Sequence, residues 1–266
     1  MNRDYDNQIY YKKHWYAEIY EQQENQTDDV EFILKAFGGQ RLKVLEVCCG
    51  GGRIAVPLAE AGHQVTGFDA DEEMLKRLCA RAKTLDNLAC YQADAVQADW
   101  GSGFEAVILA GNIMINIETE MDYREAQRLF LRKAAACLVP GGMLLLDFNL
   151  FADPVSAFTR RGERVQFEGT DSLGTYGRLT GLDSVYDPDS QVVSGRSRTE
   201  MQFINGERYE AERSWSKHIP TLVQVEGWLE DAGFKVLTVY GDYADNPVSN
   251  GTYRAVILAR RGQAEA

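Results

Sequence analysis

Short apolar runs and amphipathic stretches follow one another regularly through the first 150 residues of the chain. Runs rich in Val, Ile and Leu predict buried strands, and apolar residues three and four positions apart predict helices. The predicted order is strand 43–47, helix 52–61, strand 64–69, helix 72–83, strand 88–92, strand 104–110, helix 119–138 and strand 143–149. Such alternation is typical of βαβ units, which build a parallel sheet with ligands at the carboxyl ends of its strands.

The N-terminal region has a different pattern. Residues 5–22 are rich in aromatic side chains and predict a helix. Thr27 is expected to cap a second helix, whose end is marked by Gly38 and Gly39. These 40 residues therefore predict two helices that precede the alternating region.

The region after the fifth strand also departs from the alternation. Between 160 and 218, three polar, alternating stretches predict an antiparallel meander that is too polar to have a core of its own. A helix at 221–232 follows, and strands at 234–241 and 252–260 are expected to close the sheet as an antiparallel pair.

A glycine-rich turn after strand 43–47 carries the clearest chemical signal. Gly50, Gly51 and Gly52 open the next helix, and a helix N-terminus offers unpaired N–H groups and a partial positive charge. Glycines let a ligand lie against the backbone there. Asp69, at the end of the next strand, is placed to accept hydrogen bonds from two ribose hydroxyls. The turn therefore predicts a cofactor that contains a nucleoside.

Two classes of cofactor fit this turn. Residues 50–55 match the dinucleotide fingerprint, and Asp69 follows at about the expected spacing, which would suit NAD. Glu46, inside the preceding strand, disfavours a pyrophosphate because like charges repel. S-adenosylmethionine has no phosphate and carries a sulfonium and an α-ammonium, so a nearby carboxylate suits it. The antiparallel end of the sheet is a second argument against NAD.

Four segments resemble the motifs of class I S-adenosylmethionine-dependent methyltransferases, small-molecule type. They are the glycine turn 44–53, the pair Asp94-Ala95, the pair Gly111-Asn112 after strand 104–110, and the turn 138–142. The resemblance covers about residues 15–150 and 221–260. Cys48 departs from the family pattern, because it stands where the first glycine is usual.

The resemblance implies an α/β fold: a Rossmann-like, seven-stranded, mostly parallel sheet with an antiparallel last strand, helices on both faces and an inserted antiparallel β-meander. It also implies three parts. Residues 1–40 form N-terminal lid helices, residues 41–150 and 219–262 form the methyltransferase domain, and residues 151–218 form a meander cap. Amino-sugar and glycine-type N-methyltransferases have the most similar layout.

The resemblance further implies a set of cofactor-binding residues. These are Tyr20, Glu46, Cys48, Gly50, Gly52, Arg53, Asp69, Ala70, Met74, Asp94, Ala95, Ala110, Gly111 and Asn112. Five of them have a structural alternative: Asp69 as a helix N-cap, Glu46 as an acceptor that orders the loop, Asp94 as a turn residue, Arg53 as a free surface charge of the helix, and Tyr20 as part of an aromatic stripe that packs on the domain. Methyl transfer needs little beyond placement, so we expect no recognisable catalytic residue. Asn112, His218 and Tyr11 are the weak candidates.

Composition limits the acceptor. The net charge of −12 argues against nucleic acid and an anionic membrane surface as partners and favours a cationic or neutral small molecule. The five cysteines and three histidines show no metal-ligand spacing, so we expect no metal and five buried, reduced thiols in a cytoplasmic protein.

We expect transfer to an amine or hydroxyl of a small metabolite, with the meander as substrate cap and homodimer contact. Carbon or carboxyl methylation, an NAD-dependent oxidoreductase and a non-catalytic cofactor-binding protein are the alternatives.

Overall fold

The computed structural model describes residues 3–23 and 25–263. In chain order the elements are α1 (Arg3–Gln23), α2 (Asp28–Ala36), β1 (Lys43–Val47), α3 (Ala55–Glu60), β2 (Gln64–Asp69), α4 (Glu72–Arg81), β3 (Leu88–Gln92), β4 (Phe104–Leu109), α5 (Tyr123–Cys137), β5 (Leu138–Asn149), α6 (Pro154–Phe158), β6 (Arg164–Thr170), β7 (Tyr176–Asp187), β8 (Val192–Gln202), β9 (Arg208–His218), α7 (Leu222–Asp231), β10 (Phe234–Tyr240) and β11 (Arg254–Arg261). They form two compact units: one holds residues 26–152 and 220–263, and the other holds α1 and residues 153–219.

The larger unit contains a seven-stranded sheet in the order β3-β2-β1-β4-β5-β11-β10. β11 pairs antiparallel with both of its neighbours, and the other pairings in the sheet are parallel. The predicted fold class is confirmed. The order reverses direction at β1 and β4, so the carboxyl ends of these strands flank the crevice where α/β sheets bind ligands.

Helices cover both faces of this sheet. α2, α3 and α4 pack on one face in a cluster that includes Val44 of β1, and α5 and α7 pack on the other in a cluster that includes Leu45. Side chains along a strand alternate between faces. Glu46 therefore shares the face of Val44, beneath the helices that flank the glycine turn.

Two predicted helix boundaries and one predicted helix cap need correction. α3 begins at Ala55 rather than at residue 52, because the glycine turn continues to Ile54, and α5 begins at Tyr123, where the Asp122 carboxylate accepts the N–H of Glu125 at 3.1 Å. Thr27 occupies the N-cap position of α2, but its side chain makes no capping hydrogen bond. The acidic residues in the first turn of α2 stabilise its N-terminus instead, because they lie at the positive end of the helix dipole.

The smaller unit is an antiparallel sheet in the order β6-β7-β8-β9 with α1 packed against it. The sequence predicted three strands without a core. β6 and α6 were missed, and Trp15 and Ile19 of α1 form a small core with Met201 and Phe203. The indole N–H of Trp15 donates to the carbonyl of Gly169 at 2.9 Å. The polar strands therefore gain their apolar layer from a helix distant in sequence.

Two glycines allow this packing. An ideal Cβ on Gly177 would lie 2.4 Å from the Trp15 ring, and one on Gly169 would lie 2.8 Å from the Ile19 side chain. A larger residue at position 177 would therefore require the Trp15 ring to move, whereas the end of the Ile19 side chain could shift to admit one at position 169. Among the described residues, no helix is long and apolar enough to cross a lipid bilayer.

Candidate functional site

The turn between β1 and α3 has the backbone that a close-lying ligand requires. Gly50 and Gly52 have φ angles of 52° and 81°, in the left-handed region that glycine adopts freely. An ideal Cβ on Gly52 would lie 2.8 Å from Leu78 of α4, so glycine is needed there for packing. An ideal Cβ on Gly50 would meet no atom within 4 Å, so Gly50 borders open space.

Cys48 also has a left-handed backbone, with φ of 57°. A side chain in this region costs roughly 1–2 kcal/mol, which explains why the family pattern has glycine at this position. Burial, together with the charges of Asp69, Glu46 and Asp94, raises the pKa of the Cys48 thiol to about 12. The three carboxyl groups named by the sequence are therefore gathered around this turn.

Asp69 uses both carboxylate oxygens on backbone donors. The N–H of Gly50 donates to Oδ2 at 2.9 Å and that of Asp71 to Oδ1 at 2.8 Å. Burial raises the pKa of Asp69, and these two hydrogen bonds oppose the shift. Asp69 thus joins the glycine turn to the start of α4, which Asp71 caps through the N–H groups of Glu73 and Met74.

Glu46 is buried, with 5% of its surface exposed. Burial raises its pKa to about 8, whereas the charge of Arg53 lowers it and those of Asp29 and Asp69 raise it. The backbone of Ala55, at the start of α3, hydrogen-bonds to the Glu46 carboxyl group, but its Oε2 has no partner among the described residues. Glu46 thus accepts a backbone hydrogen bond from the start of α3 and keeps one carboxyl oxygen without a partner among the described residues.

Arg53 is held by α2. Its Nη1 donates to the buried carboxylate of Asp29 at 2.5 Å and to the carbonyl of Gln26 at 2.7 Å. Because Asp29 is 4% exposed, this ion pair fixes the guanidinium between α2 and the glycine turn. Arg53 is therefore not a free surface charge.

The turn after β3 is built around Asp94 and Ala95. Asp94 Oδ1 accepts the N–H groups of Val96 at 2.7 Å and Gln97 at 3.3 Å, as expected of a turn residue. The carbonyl of Ala95 accepts from Trp100 and from Lys133 of α5, each at 3.0 Å. Burial lowers the pKa of Lys133.

The turn after β4 is held by a buried carboxylate that the sequence did not reveal. Asp147 of β5 is fully buried and accepts the N–H groups of Gly111 at 3.2 Å and Asn112 at 3.1 Å. Asn112 has φ of 63°, and its Oδ1 accepts the N–H of Asn149 at 2.7 Å. An ideal Cβ on Gly111 would meet nothing within 4 Å, so this turn borders open space as well.

Two residues near the C-terminus support Asp147. The hydroxyl of Tyr243 donates to Asp147 Oδ2 at 2.5 Å, and Arg254 Nη1 lies 3.3 Å from Oδ1 and 2.8 Å from the Tyr243 hydroxyl. Burial and the charge of Asp147 raise the pKa of Tyr243. The only sequence signal for this network was an acid inside an otherwise apolar strand, Leu144–Phe148.

The remaining predicted cofactor residues lie beside these turns. Ala70 follows Asp69 directly, and its carbonyl accepts from Gln92 at 3.0 Å. Met74 is buried in the first turn of α4, and Ala110 links β4 to Gly111. With the exception of Tyr20, every predicted cofactor residue belongs to the larger unit.

Tyr11, Tyr20 and His218 belong to the smaller unit. The Tyr11 ring packs 5.5 Å from that of Phe203, and the Tyr20 ring lies 6.0 Å from that of Phe167. His218 ends β9 and is 2% exposed. The aromatic stripe of α1 thus packs on the four-stranded sheet of its own unit.

The thiols differ from expectation in one respect. Cys49 and Cys137 are buried and Cys48 and Cys90 are half-buried, but Cys79 is exposed, so the prediction of five buried thiols is wrong. Cys79 lies in the second half of α4, and helical periodicity alone did not predict its exposure. In the part of the chain that the structure describes, no group of three or more His, Cys, Asp or Glu could hold a metal ion.

These turns fit a cationic nucleoside ligand. Gly50 and Gly111 both border open space, and the unpaired Glu46 oxygen offers an acceptor to a cation. A buried carboxyl oxygen without a partner costs about 1–3 kcal/mol, and a positively charged ligand group would recover that energy. The pyrophosphate of a dinucleotide would instead lie near the carboxyl groups of Glu46, Asp69 and Asp94, which disfavour a negatively charged ligand.

Comparisons with known proteins agree with this geometry. Residues 44–142 match the family described as methyltransferase domain. A protein of Geobacillus sp. (strain WCH70), named as a methyltransferase, is 26% identical over 244 residues, which cover 87% of this chain and 90% of that protein. Glycine N-methyltransferase of Rattus norvegicus is 33% identical over 125 residues, which cover 43% of this chain and 42% of that enzyme.

A solved structure shows the same fold. The sugar N-methyltransferase KedS8 from Streptoalloteichus sp. superposes with a TM-score of 0.65 at 15% identity, over 90% of this chain and 87% of that chain. The sheet order, the glycine turn and the matched domain define the chain as a methyltransferase of the class I fold. Its cofactor is S-adenosylmethionine.

Proposed function

We propose that the protein transfers the methyl group of S-adenosylmethionine to an amine of a small metabolite. The observation that carries the proposal is the set of carboxyl groups where β1, β2 and β3 end: Glu46, whose Oε2 has no partner among the described residues, Asp69, which accepts the N–H of Gly50, and Asp94, which accepts the N–H of Val96. Such a set attracts a cationic methionyl group and an amine. The names of two similar proteins, glycine N-methyltransferase and sugar N-methyltransferase, also specify nitrogen.

Each turn would hold a different part of the cofactor. Asp69 would accept from the ribose hydroxyls, with Ala70 and Met74 beside it, and Asp94 with Ala95 would border the adenine. Glu46 would face the α-ammonium, directly or through water, and Arg53 would support the turn near the cofactor carboxylate. The turn Ala110–Asn112, fixed by Asp147, would lie under the methionyl group.

The protein would accelerate the reaction by positioning the methyl group and the acceptor nitrogen relative to each other. The cofactor supplies an activated methyl group, and the acceptor nitrogen supplies its lone pair. Holding the two in line contributes roughly 7–11 kcal/mol through effective molarity. Asn112 Oδ1 accepts the N–H of Asn149, and the proposal assigns no proton transfer to Asn112, Tyr11 or His218.

The smaller unit would determine the acceptor. We propose that α1 acts as a lid and the four-stranded sheet as a cap, with Tyr20 toward the cofactor carboxylate and Tyr11 on the substrate side. The same sheet would supply a homodimer contact. Tyr20→Phe should raise KM for the cofactor severalfold, and an unchanged KM would contradict the lid role.

The acceptor is tested by turnover. Purified protein and S-adenosylmethionine are incubated with a library of small amines and phenols, and S-adenosylhomocysteine is measured for each. Formation with amines and not with phenols supports the proposal. Formation with phenols alone contradicts it. Asp69→Ala, which should bind the cofactor poorly, controls for contaminating activity.

A further inference from the structure

Two cysteines outside the predicted site lie in direct contact. Cys79, in the second half of α4, and Cys90, in β3, have sulfur atoms 3.0 Å apart. Cys79 is exposed and Cys90 is half-buried. They are separated by only 11 positions in sequence and belong to elements that pack together.

This contact is close to the geometry of a covalent bridge. A disulfide has an S–S length of about 2.05 Å and joins Cα atoms that are usually about 4.4–6.8 Å apart. The sulfur atoms need to approach by about 1 Å, which is within the reach of side-chain rotation.

The two thiols differ in their suitability for the first attack. Burial and the Cys79 thiol raise the pKa of Cys90 to about 11, so Cys90 is protonated at neutral pH. The thiolate is the attacking species, and access to solvent limits the reaction. Cys79 is therefore the residue that reacts first with a dissolved reagent, and Cys90 is the resolving residue.

We propose that Cys79 and Cys90 are a redox-active dithiol that forms a reversible disulfide with low-molecular-weight disulfides such as oxidised glutathione. The Cys79 thiolate attacks one glutathione sulfur, a Cys79–glutathione bond forms, and the first glutathione leaves as a thiolate. Cys90 then loses its proton to solvent and attacks the Cys79 sulfur, and the second glutathione leaves. The dithiol loses two electrons and two protons, and oxidised glutathione becomes two thiols.

The bridge would tie the α4 helix to β3. α4 starts at the turn that Asp69 and Asp71 form, and β3 leads into the turn at Asp94. The bridge closes a loop of about 12 residues in the unfolded chain, which predicts a rise of a few degrees in the thermal midpoint. The proposal does not depend on methyl transfer, because it rests on the two sulfur atoms alone.

The test is mass spectrometry of the folded protein. Reduced protein is incubated with oxidised glutathione, remaining thiols are alkylated, and the intact mass and peptides are analysed. We expect the loss of two hydrogens, a cross-link between the Cys79 and Cys90 peptides, and reversal by dithiothreitol. A persistent glutathione adduct on Cys79, or no reaction at Cys79 and Cys90, would overturn the proposal.

Three variants assign the steps. Cys90→Ser should retain a stable glutathione adduct on Cys79, and Cys79→Ser should react about tenfold or more slowly at Cys90. Equal rates in wild type and Cys79→Ser would exclude Cys79 as the first nucleophile. Cys137→Ser, which removes a buried thiol from the core cluster on the other face of the sheet, should form the cross-link at the wild-type rate. If a variant fails to fold, the cross-link in the wild-type protein still decides the proposal.

Discussion

The carboxylate of Asp69 accepts the N–H of Gly50 at 2.9 Å, so the residue expected to bind the ribose also fixes the glycine turn. The same carboxylate also accepts a hydrogen bond from the N–H of Asp71 at 2.8 Å. Ribose hydroxyls would add to these donors rather than replace them, because each carboxylate oxygen can accept more than one hydrogen bond. Loop order and cofactor affinity are therefore coupled through one side chain.

Asp69→Ala should weaken S-adenosylhomocysteine binding at least tenfold in calorimetry. Two hydrogen bonds to a charged acceptor contribute about 1.5–3 kcal/mol each, and the turn would also lose its anchor. Asp71→Ala is the matched control: it removes the α4 cap, costs about 1 kcal/mol of stability and should leave affinity within about threefold. Unchanged affinity in Asp69→Ala would refute the ribose assignment.

Cys48→Gly should preserve cofactor affinity and stabilise the fold. Its φ of 57° strains any residue with a Cβ, and the relief exceeds the entropic cost of glycine by about 0.5–1 kcal/mol. Cys48→Ala is the control, since it removes the thiol but keeps the strain. Urea unfolding of both variants measures the difference. A large loss of cofactor affinity in Cys48→Gly would mean that the turn has been misinterpreted.

Glu46 should make stability fall as pH rises. Its pKa is raised from 4.5 to about 8 in the folded protein, so the neutral carboxyl is favoured by folding. Below pH 4.5 this contribution is complete, and it is lost as pH rises through about 8, by on the order of 5 kcal/mol at most.

Glu46→Gln should remove that part of the pH dependence. Urea unfolding of wild type and variant between pH 5 and 9 isolates the Glu46 contribution from that of other groups, including Arg53, Asp29 and Asp69, which act on Glu46. Parallel stability curves for the two proteins would show that Glu46 is ionised in the free protein.

Tyr243→Phe should cost about 1–3 kcal/mol of stability, because buried Asp147 loses its hydroxyl donor. Since Asp147 fixes the turn at Gly111 and Asn112, the affinity for S-adenosylhomocysteine should fall as well. Tyr240→Phe, in the strand just before, is the control and should be nearly neutral. Equal stabilities of the two variants would show that the Tyr243 hydroxyl does not support Asp147.

Much of the larger unit could be predicted from sequence because its signals are local. A few neighbouring residues are enough to predict each of three features: the strand at 43–47, the turn at 50–52 and the acid at 69. Glu46, Asp69 and Asp94 lie together because parallel strands end at one edge of a sheet. Sequence order alone was sufficient for that inference.

The rest depends on contacts between distant segments. Asp147 looks like an isolated acid until Tyr243 and Arg254 approach it from about 100 residues away. The core of the smaller unit joins α1 to strands more than 150 residues later, so the polar alternation of β6–β9 did not reveal an apolar face. The Cys79–Cys90 contact likewise requires the packing of a helix on a strand.

The most direct test of amine methylation uses acceptors that carry both an amine and a hydroxyl. Amino alcohols are incubated with the protein and S-adenosylmethionine labelled with carbon-13 in its methyl group, and NMR identifies the methylated atom. We expect an N-methyl signal that is absent with Asp69→Ala. An O-methyl signal alone, in a sample that forms S-adenosylhomocysteine, would contradict it.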